Sequence, residues 1–209
     1  MILLWLLAHS ATQAAAVQVR RFEDVQIGSV VLRVPFPRGY CKPTGTDAAT
    51  FQVLAASDHR NVTLLSLIEC DQHSTGRSYI LFKTPVAALN AELDRDVTLR
   101  ELAAEAEVLP MSTVLDAAGE VKSEASGEST KVDGDFGPRG RDDVCVYMGG
   151  LLRTASGTET QAQALGTCIT VAGKRLIVPN AYEDSADPAA YKAILPKTRN
   201  WVLVIVARP

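Results

Sequence analysis

The sequence predicts an α+β domain: an antiparallel β-sheet with helices packed on it, in a single unit closed by two disulfides. Three observations carry that prediction. The first is the stretch 143–182, which reads as three consecutive antiparallel strands. Centring its first turn on Ser156-Gly157 sets Cys145 opposite Cys168. Directly opposed residues have Cα atoms roughly 4.5–5.5 Å apart, within reach of a disulfide. The second turn, Gly173-Lys174, offers Gly at the first position of a type II′ hairpin, where φ must be positive. Val171 then faces Leu176 and Ile169 faces Val178, and with Val146 and Met148 they alternate onto one half-buried face.

The second observation is helical periodicity between residues 84 and 109, away from the strand-like segments. The third is the cysteine count of 4. All four lie beyond the apolar N-terminal stretch, which fits an oxidising compartment and two bridges. Three connectivities are open; the register favours Cys145–Cys168 and leaves Cys41–Cys70. Zinc and a catalytic thiol are the competing readings. The sequence has neither a C-x-x-C pair nor histidine at ligand spacing, and an even count in an exported chain argues for bridges.

From the N-terminus, Met1 to Ala16 contain no Asp, Glu, Lys or Arg, and Ile2 to Ala8 are almost wholly apolar. Ala14-Ala15-Ala16 places small residues at a cleavage site, the pattern of a secretory signal peptide over residues 1–16. The apolar run is shorter than the roughly 20 residues a spanning helix needs, so no transmembrane segment is expected in the mature chain. Cleavage near Ala16 leaves residues 17–209 as one secreted or periplasmic domain, large enough for its own core.

Ser29 to Val34 reads as a strand ended by Pro35 and Pro37, followed by the Gly/Pro-punctuated loop 38–43 that carries Cys41. Thr50 to Ala56 and Val62 to Glu69 read as a hairpin, apolar on both faces and so central in the sheet. Ser78 to Phe82 is a further short strand. Thr84 then suits an N-cap with Pro85 at the first helical position, and Val86, Leu89 and Leu93 recur at helical spacing. A second helix is expected from Thr98, where Thr98 and Glu101 match a capping box. Leu99, Leu102, Ala103, Ala106 and Leu109 make its stripe, and Pro110 ends it. Residues 119–143 are rich in Gly, Ser and charge, and read as a long polar surface excursion with room for one edge strand. Asp187-Pro188 suggests a last helix. Trp201 to Ala207 stays in helical phase with Tyr191, with a buried strand as the other reading.

An early strand pair, a central helix pair, the turn and strand Gly173-Lys174-Arg175-Leu176-Ile177-Val178, and the C-terminal segment 187–207 with Trp201 occur in an order that resembles the Mog1/PsbP-type α/β/α sandwich. The resemblance implies a binding or accessory protein rather than an enzyme, and it carries over no functional residue.

The residues themselves narrow the chemistry. The net charge of −3 with scattered Lys and Arg leaves no electrostatic footprint for nucleic acid. There is no G-x-S-x-G elbow, P-loop or dinucleotide fingerprint, and no cofactor is expected. Glu69, Asp71 and His73 alternate, so an extended backbone would put them on one face. They are the candidate polar cluster for a noncanonical hydrolase-like or metal-dependent site, against the plainer reading of a polar strand end. Asp133, Asp135, Asp142 and Asp143 form an acidic, glycine-rich loop that lacks the ligand pattern of an EF-hand. Asn61-Val62-Thr63 is a formal glycosylation acceptor. Arg38, Tyr40 and Lys42 flank Cys41 as a candidate recognition patch, with ordinary surface as the other reading. The function expected is an exported, disulfide-stabilised, non-catalytic binding or accessory domain whose partner is an unidentified protein or envelope component. An enzyme centred on the Glu69 cluster and a secreted effector or inhibitor are the alternatives.

Overall fold

The computed structural model describes residues 21–70 and 78–208. The expected leader over residues 1–16 lies outside the described residues. Two antiparallel sheets form the frame. The smaller joins β1 (Phe22–Ile27), β2 (Val30–Pro35) and β11 (Val206–Arg208) in the order β1-β2-β11. The larger runs in the order β3 (Tyr40–Cys41), β4 (Asn61–Glu69), β5 (Tyr79–Pro85), β10 (Arg175–Asp184), β9 (Glu159–Ala172), β8 (Val146–Ser156) and β6 (Thr130–Gly134), with β7 (Gly137–Arg141) also paired to β8. The helices are α1 (Gly45–Ser57), α2 (Arg95–Val108), α3 (Met111–Ser126) and α4 (Tyr191–Val202). The α+β class, the antiparallel pairing and the single domain are as the sequence predicts.

The main core lies between the sheets. Val25, Ile27, Leu32 and Val34 of the small sheet meet Leu67, Phe82, Cys168 and Ile177 of the large one, together with Ile194 and Trp201 of α4. Phe82 and Trp201 pack edge to face, with ring centroids 4.3 Å apart. A smaller cluster, Val132, Leu152 and Leu165, packs against Leu115 and Ala118 of α3. Helix α4 crosses the large sheet where Gly149 and Gly166 are cross-strand partners. A Cβ on Gly166 would stand 2.6 Å from Ile194 Cγ2, and one on Gly149 would stand 2.9 Å from Tyr191 Cδ2. The paired glycines let the helix approach the sheet backbone.

The meander forms as three strands, with both turns differing from expectation. Val171 does pair with Leu176, but both turn residues have positive φ, Gly173 at 54° and Lys174 at 63°. Positive φ at both positions is the type I′ pattern, not II′. The first turn instead centres on Gly157-Thr158, because Ser156 pairs with Glu159, and Gly157 alone there has positive φ. That one-residue move places Tyr147 opposite Cys168. Cys145, just before β8, reaches Cys168 on the diagonal, with Cα atoms 5.2 Å apart. Val146, Met148, Val171 and Leu176 are buried, and so are Cys168, Ala172 and Ile177 on the other face. The meander is therefore covered on both sides.

Several elements differ from expectation. Thr50 to Ala56 belongs to α1 rather than a strand. Only Ser57 of that helix is buried, so its apolar residues form no stripe whose period could be read. Ala48, Ala49, Ala55 and Ala56 favour helix locally, and β3 and β5 already occupy both edges of β4. Thr84 is a buried residue of β5, not a cap, and only a 3-10 turn, Val86–Ala88, follows it. Helix α2 starts three residues before Thr98, because the Asp94 carboxylate accepts the Val97 backbone N–H at 3.0 Å. Within its predicted stripe Leu99 and Ala106 are buried, and the helix ends before Pro110 as predicted. Residues 119–143 hold the second half of α3, the edge strand β6, and β7. Gly119 explains the misleading composition: its Cβ position is 3.0 Å from the Thr130 carbonyl, so helix and strand pack too closely there for a side chain. The C-terminal segment divides, with α4 continuing to Val202 through Pro196 and β11 then pairing with β2. Strand β1 was not anticipated.

Candidate functional site

Two concavities share one wall, formed by the Cys41–Cys70 bridge with Glu69. The chain builds that wall from a two-residue strand: Tyr40 pairs with Glu69 and Cys41 with Ile68. The Cys70 N–H donates to the Gly39 carbonyl at 2.7 Å, and the bridge, with Cα atoms 5.1 Å apart, closes the corner. On one side lies a cleft of about 670 Å³ reaching Phe22 and Lys42. On the other, a cleft of about 1180 Å³ runs from the 35–41 loop to α4.

The larger cleft has an apolar bed and a polar rim. Ile80, Ala181, Phe36 and Trp201 supply the apolar part. Trp201 is fixed by its indole N–H, which donates to the Pro35 carbonyl at 2.7 Å. On the rim, Lys197 and Glu183 form an ion pair at 2.6 Å, beside Arg38, Tyr40 and Asn200. Burial pushes the Tyr40 phenol above its ordinary pKa, and the negative charges of Glu183 and Glu69 push it further. Tyr40 therefore stays protonated and can donate a hydrogen bond. An apolar bed with a few placed polar groups is the usual make-up of a ligand-binding concavity.

Of the candidate polar cluster, Glu69 lines both clefts, whereas Asp71 and His73 lie outside the described residues. Of the residues flanking Cys41, Lys42 is paired with Glu23 at 2.7 Å and opens onto the smaller cleft, while Arg38 opens onto the larger. The Asn61 amide donates to both carboxylate oxygens of Asp58. Asp58 in turn holds Lys83 at 2.6 Å, with both side chains largely buried.

The acidic loop is a latch. Asp142 accepts the backbone N–H groups of Val144 and Cys145, the Tyr147 phenol, and the Arg199 guanidinium from α4. Burial raises its pKa, but the bond from Arg199 and the N–H and phenol donors outweigh it and hold the carboxyl at about 2. Burial and the neighbouring Asp142 push the Tyr147 phenol up. Asp135 pairs with Arg139 at 3.2 Å. Among the described residues, no group of three His, Cys, Asp or Glu is placed to hold a metal ion. Sequence reasoning missed both the Asp142–Arg199 and Asp58–Lys83 pairs. Fifty-seven residues separate the first pair, and no local pattern links them.

Compared with known protein families and with curated protein sequences, the chain matches none. Among solved structures it is similar to the cyanobacterial PsbP (CyanoP) of Synechocystis sp. PCC 6803, at 10% identity and a TM-score of 0.40, covering 95% of this chain and 99% of that one. It is also similar to LpqN of Mycobacterium tuberculosis, a protein involved in cell envelope biogenesis, at 12% identity and a TM-score of 0.34, covering 92% of this chain and 93% of that one. The first is a PsbP, the fold type that the order of elements resembles. Likenesses at these identities concern chain path alone.

Proposed function

We propose that this chain is an exported, disulfide-stabilised, non-catalytic binding or accessory domain that seats its partner in the cleft between the Cys41 loop and α4. The observation that carries the reading is the cleft itself: an apolar bed ending in Trp201, with a rim of Tyr40, Lys197 and Glu183. The rim charges neutralise each other and Tyr40 is held protonated, an arrangement suited to recognition. A partner with an apolar body and hydrogen-bonding ends fits it. Export is supported by two disulfides and no free cysteine among the described residues, since bridges persist in oxidising compartments, and by the leader pattern over residues 1–16.

The test is affinity capture from the native envelope or secreted fraction, using the mature protein beside a Tyr40→Ala/Lys197→Glu variant. A partner retained by the first and lost by the second supports the reading. Equal capture by both, or robust turnover by the purified protein in a hydrolase and oxidoreductase panel, overturns it.

A further inference from the structure

The two bridges sit in opposite environments. Cys145 and Cys168 are each 0% exposed, within the main core. Cys41 is half-buried and Cys70 exposed, and both open onto the two clefts, which give an incoming group access from either side. A cation is already in place beside this second bridge: the Arg21 guanidinium donates to Cys41 Sγ at 3.7 Å. The nearby Lys42 ammonium is occupied by Glu23, which leaves Arg21 as the cation on the sulfur.

We propose that Cys41–Cys70 is a site of thiol–disulfide exchange, with Cys70 the sulfur attacked and Cys41 the leaving thiolate. Exchange needs an accessible sulfur to attack and is faster when the departing thiol has a low pKa. A neighbouring guanidinium lowers that pKa by stabilising the thiolate. The co-reactant is a dithiol. Its first thiolate attacks Cys70 Sγ, the S–S bond breaks, and a mixed disulfide forms on Cys70 while its electron pair leaves on Cys41 beside Arg21. The second thiol then attacks the mixed disulfide and releases the Cys70 thiolate. The dithiol ends oxidised to a disulfide, and two electrons and two protons have moved to the protein. This exchange does not depend on what the larger cleft binds. Opening the bridge removes the covalent tie on the wall of both clefts, leaving β3 held by its short pairing with β4 and the Cys70–Gly39 hydrogen bond.

The experiment treats the native protein with dithiothreitol, without denaturant, and follows each cysteine by differential alkylation and peptide mapping. A parallel reaction uses glutathione to trap the mixed disulfide. We expect Cys41 and Cys70 to be labelled at least ten times faster than Cys145 and Cys168, at a rate proportional to dithiol concentration. Glutathione is expected on Cys70. Arg21→Gln should slow opening several-fold and Arg21→Lys should restore it, with thermal unfolding of the oxidised variants unchanged. Both bridges opening together, a rate independent of dithiol, glutathione recovered on Cys41, or an Arg21→Gln variant that opens at the wild-type rate would each overturn the proposal.

Discussion

The two disulfides close loops of nearly equal length, with sequence separations of 29 and 23. By the chain-entropy argument each restricts the unfolded chain to a similar degree, contributing about 3.5 kcal/mol. Their folded surroundings have little in common. Cys145–Cys168 lies under α4, tied into the sheet by its neighbours; Cys41–Cys70 forms the edge of two clefts and holds a strand of two residues. Loop length sets what a bridge does to the unfolded ensemble. Surroundings decide whether it is also core packing or an accessible feature of the surface.

Removing each bridge in turn should give the largest difference between the two. Cys145→Ala/Cys168→Ala should lose the chain restriction and leave a cavity among packed side chains, about 4–5 kcal/mol together. Cys41→Ala/Cys70→Ala should lose about 3.5 kcal/mol, without a core cavity. Urea denaturation of the two variants measures the difference; equal losses would mean that burial adds nothing to the inner bridge.

A second effect probes how closely α4 lies over that inner bridge. Gly166→Ala places a methyl group against Ile194, and overpacking of this kind costs about 1–3 kcal/mol. The same urea titration reads it, and a variant as stable as the parent would show that α4 can ride away from the sheet at little cost.

The uneven legibility of the sequence follows the same division. The meander was readable because its turns and its apolar alternation are local, and a one-residue error in the first turn still left both cysteines on one face. The cysteine pairing survived that error because a diagonal bridge tolerates it. Helix α1 was not readable: it lies largely exposed, and a helix with no buried stripe has no period for the sequence to express. Gly119 reads as the start of a polar excursion and Gly149 and Gly166 as ordinary strand positions of the meander, yet each marks a place where another element comes too close for a side chain, a fact only the fold supplies. Of the candidate site, the Cys41 loop with Tyr40 was legible. The opposing wall from Glu183, Lys197 and Trp201 was not, because β10 and α4 reach the loop only through tertiary packing.

The latch at Asp142, which accepts the Cys145 backbone N–H, makes the inner bridge's surroundings sensitive to pH. Its carboxyl is held at about 2, below the unfolded value near 3.9. The stability this contributes is therefore fully present above about pH 4 and lost as pH falls through about 2. Because the side chain is 32% exposed, solvent screening limits the effect, and about 1 kcal/mol is expected. Asp24 on the small sheet is held at about 2, chiefly by its bond from Arg33 and also by Arg208, and titrates in the same window. Asp142→Asn isolates the latch: the difference in urea midpoint between parent and variant should shrink between pH 5 and pH 2. A constant difference would show that Asp142 acts there only through neutral hydrogen bonding.

The smallest expected effect on stability lies on the cleft side, where it matters most for function. Lys197 is 64% exposed in its pair with Glu183, and exposed pairs contribute about 0–1 kcal/mol. Lys197→Ala should therefore leave the stability read from urea denaturation within about 0.5 kcal/mol of the parent. Capture of the cleft partner should nevertheless weaken, because the variant removes a cationic donor from the rim and leaves Glu183 unpaired. A loss of stability beyond that range would make the ion pair part of the scaffold and place the rim with the inner bridge rather than with the binding surface. Unchanged stability with weakened capture separates the two regions as the bridges do: one side built to hold, the other left open to contact.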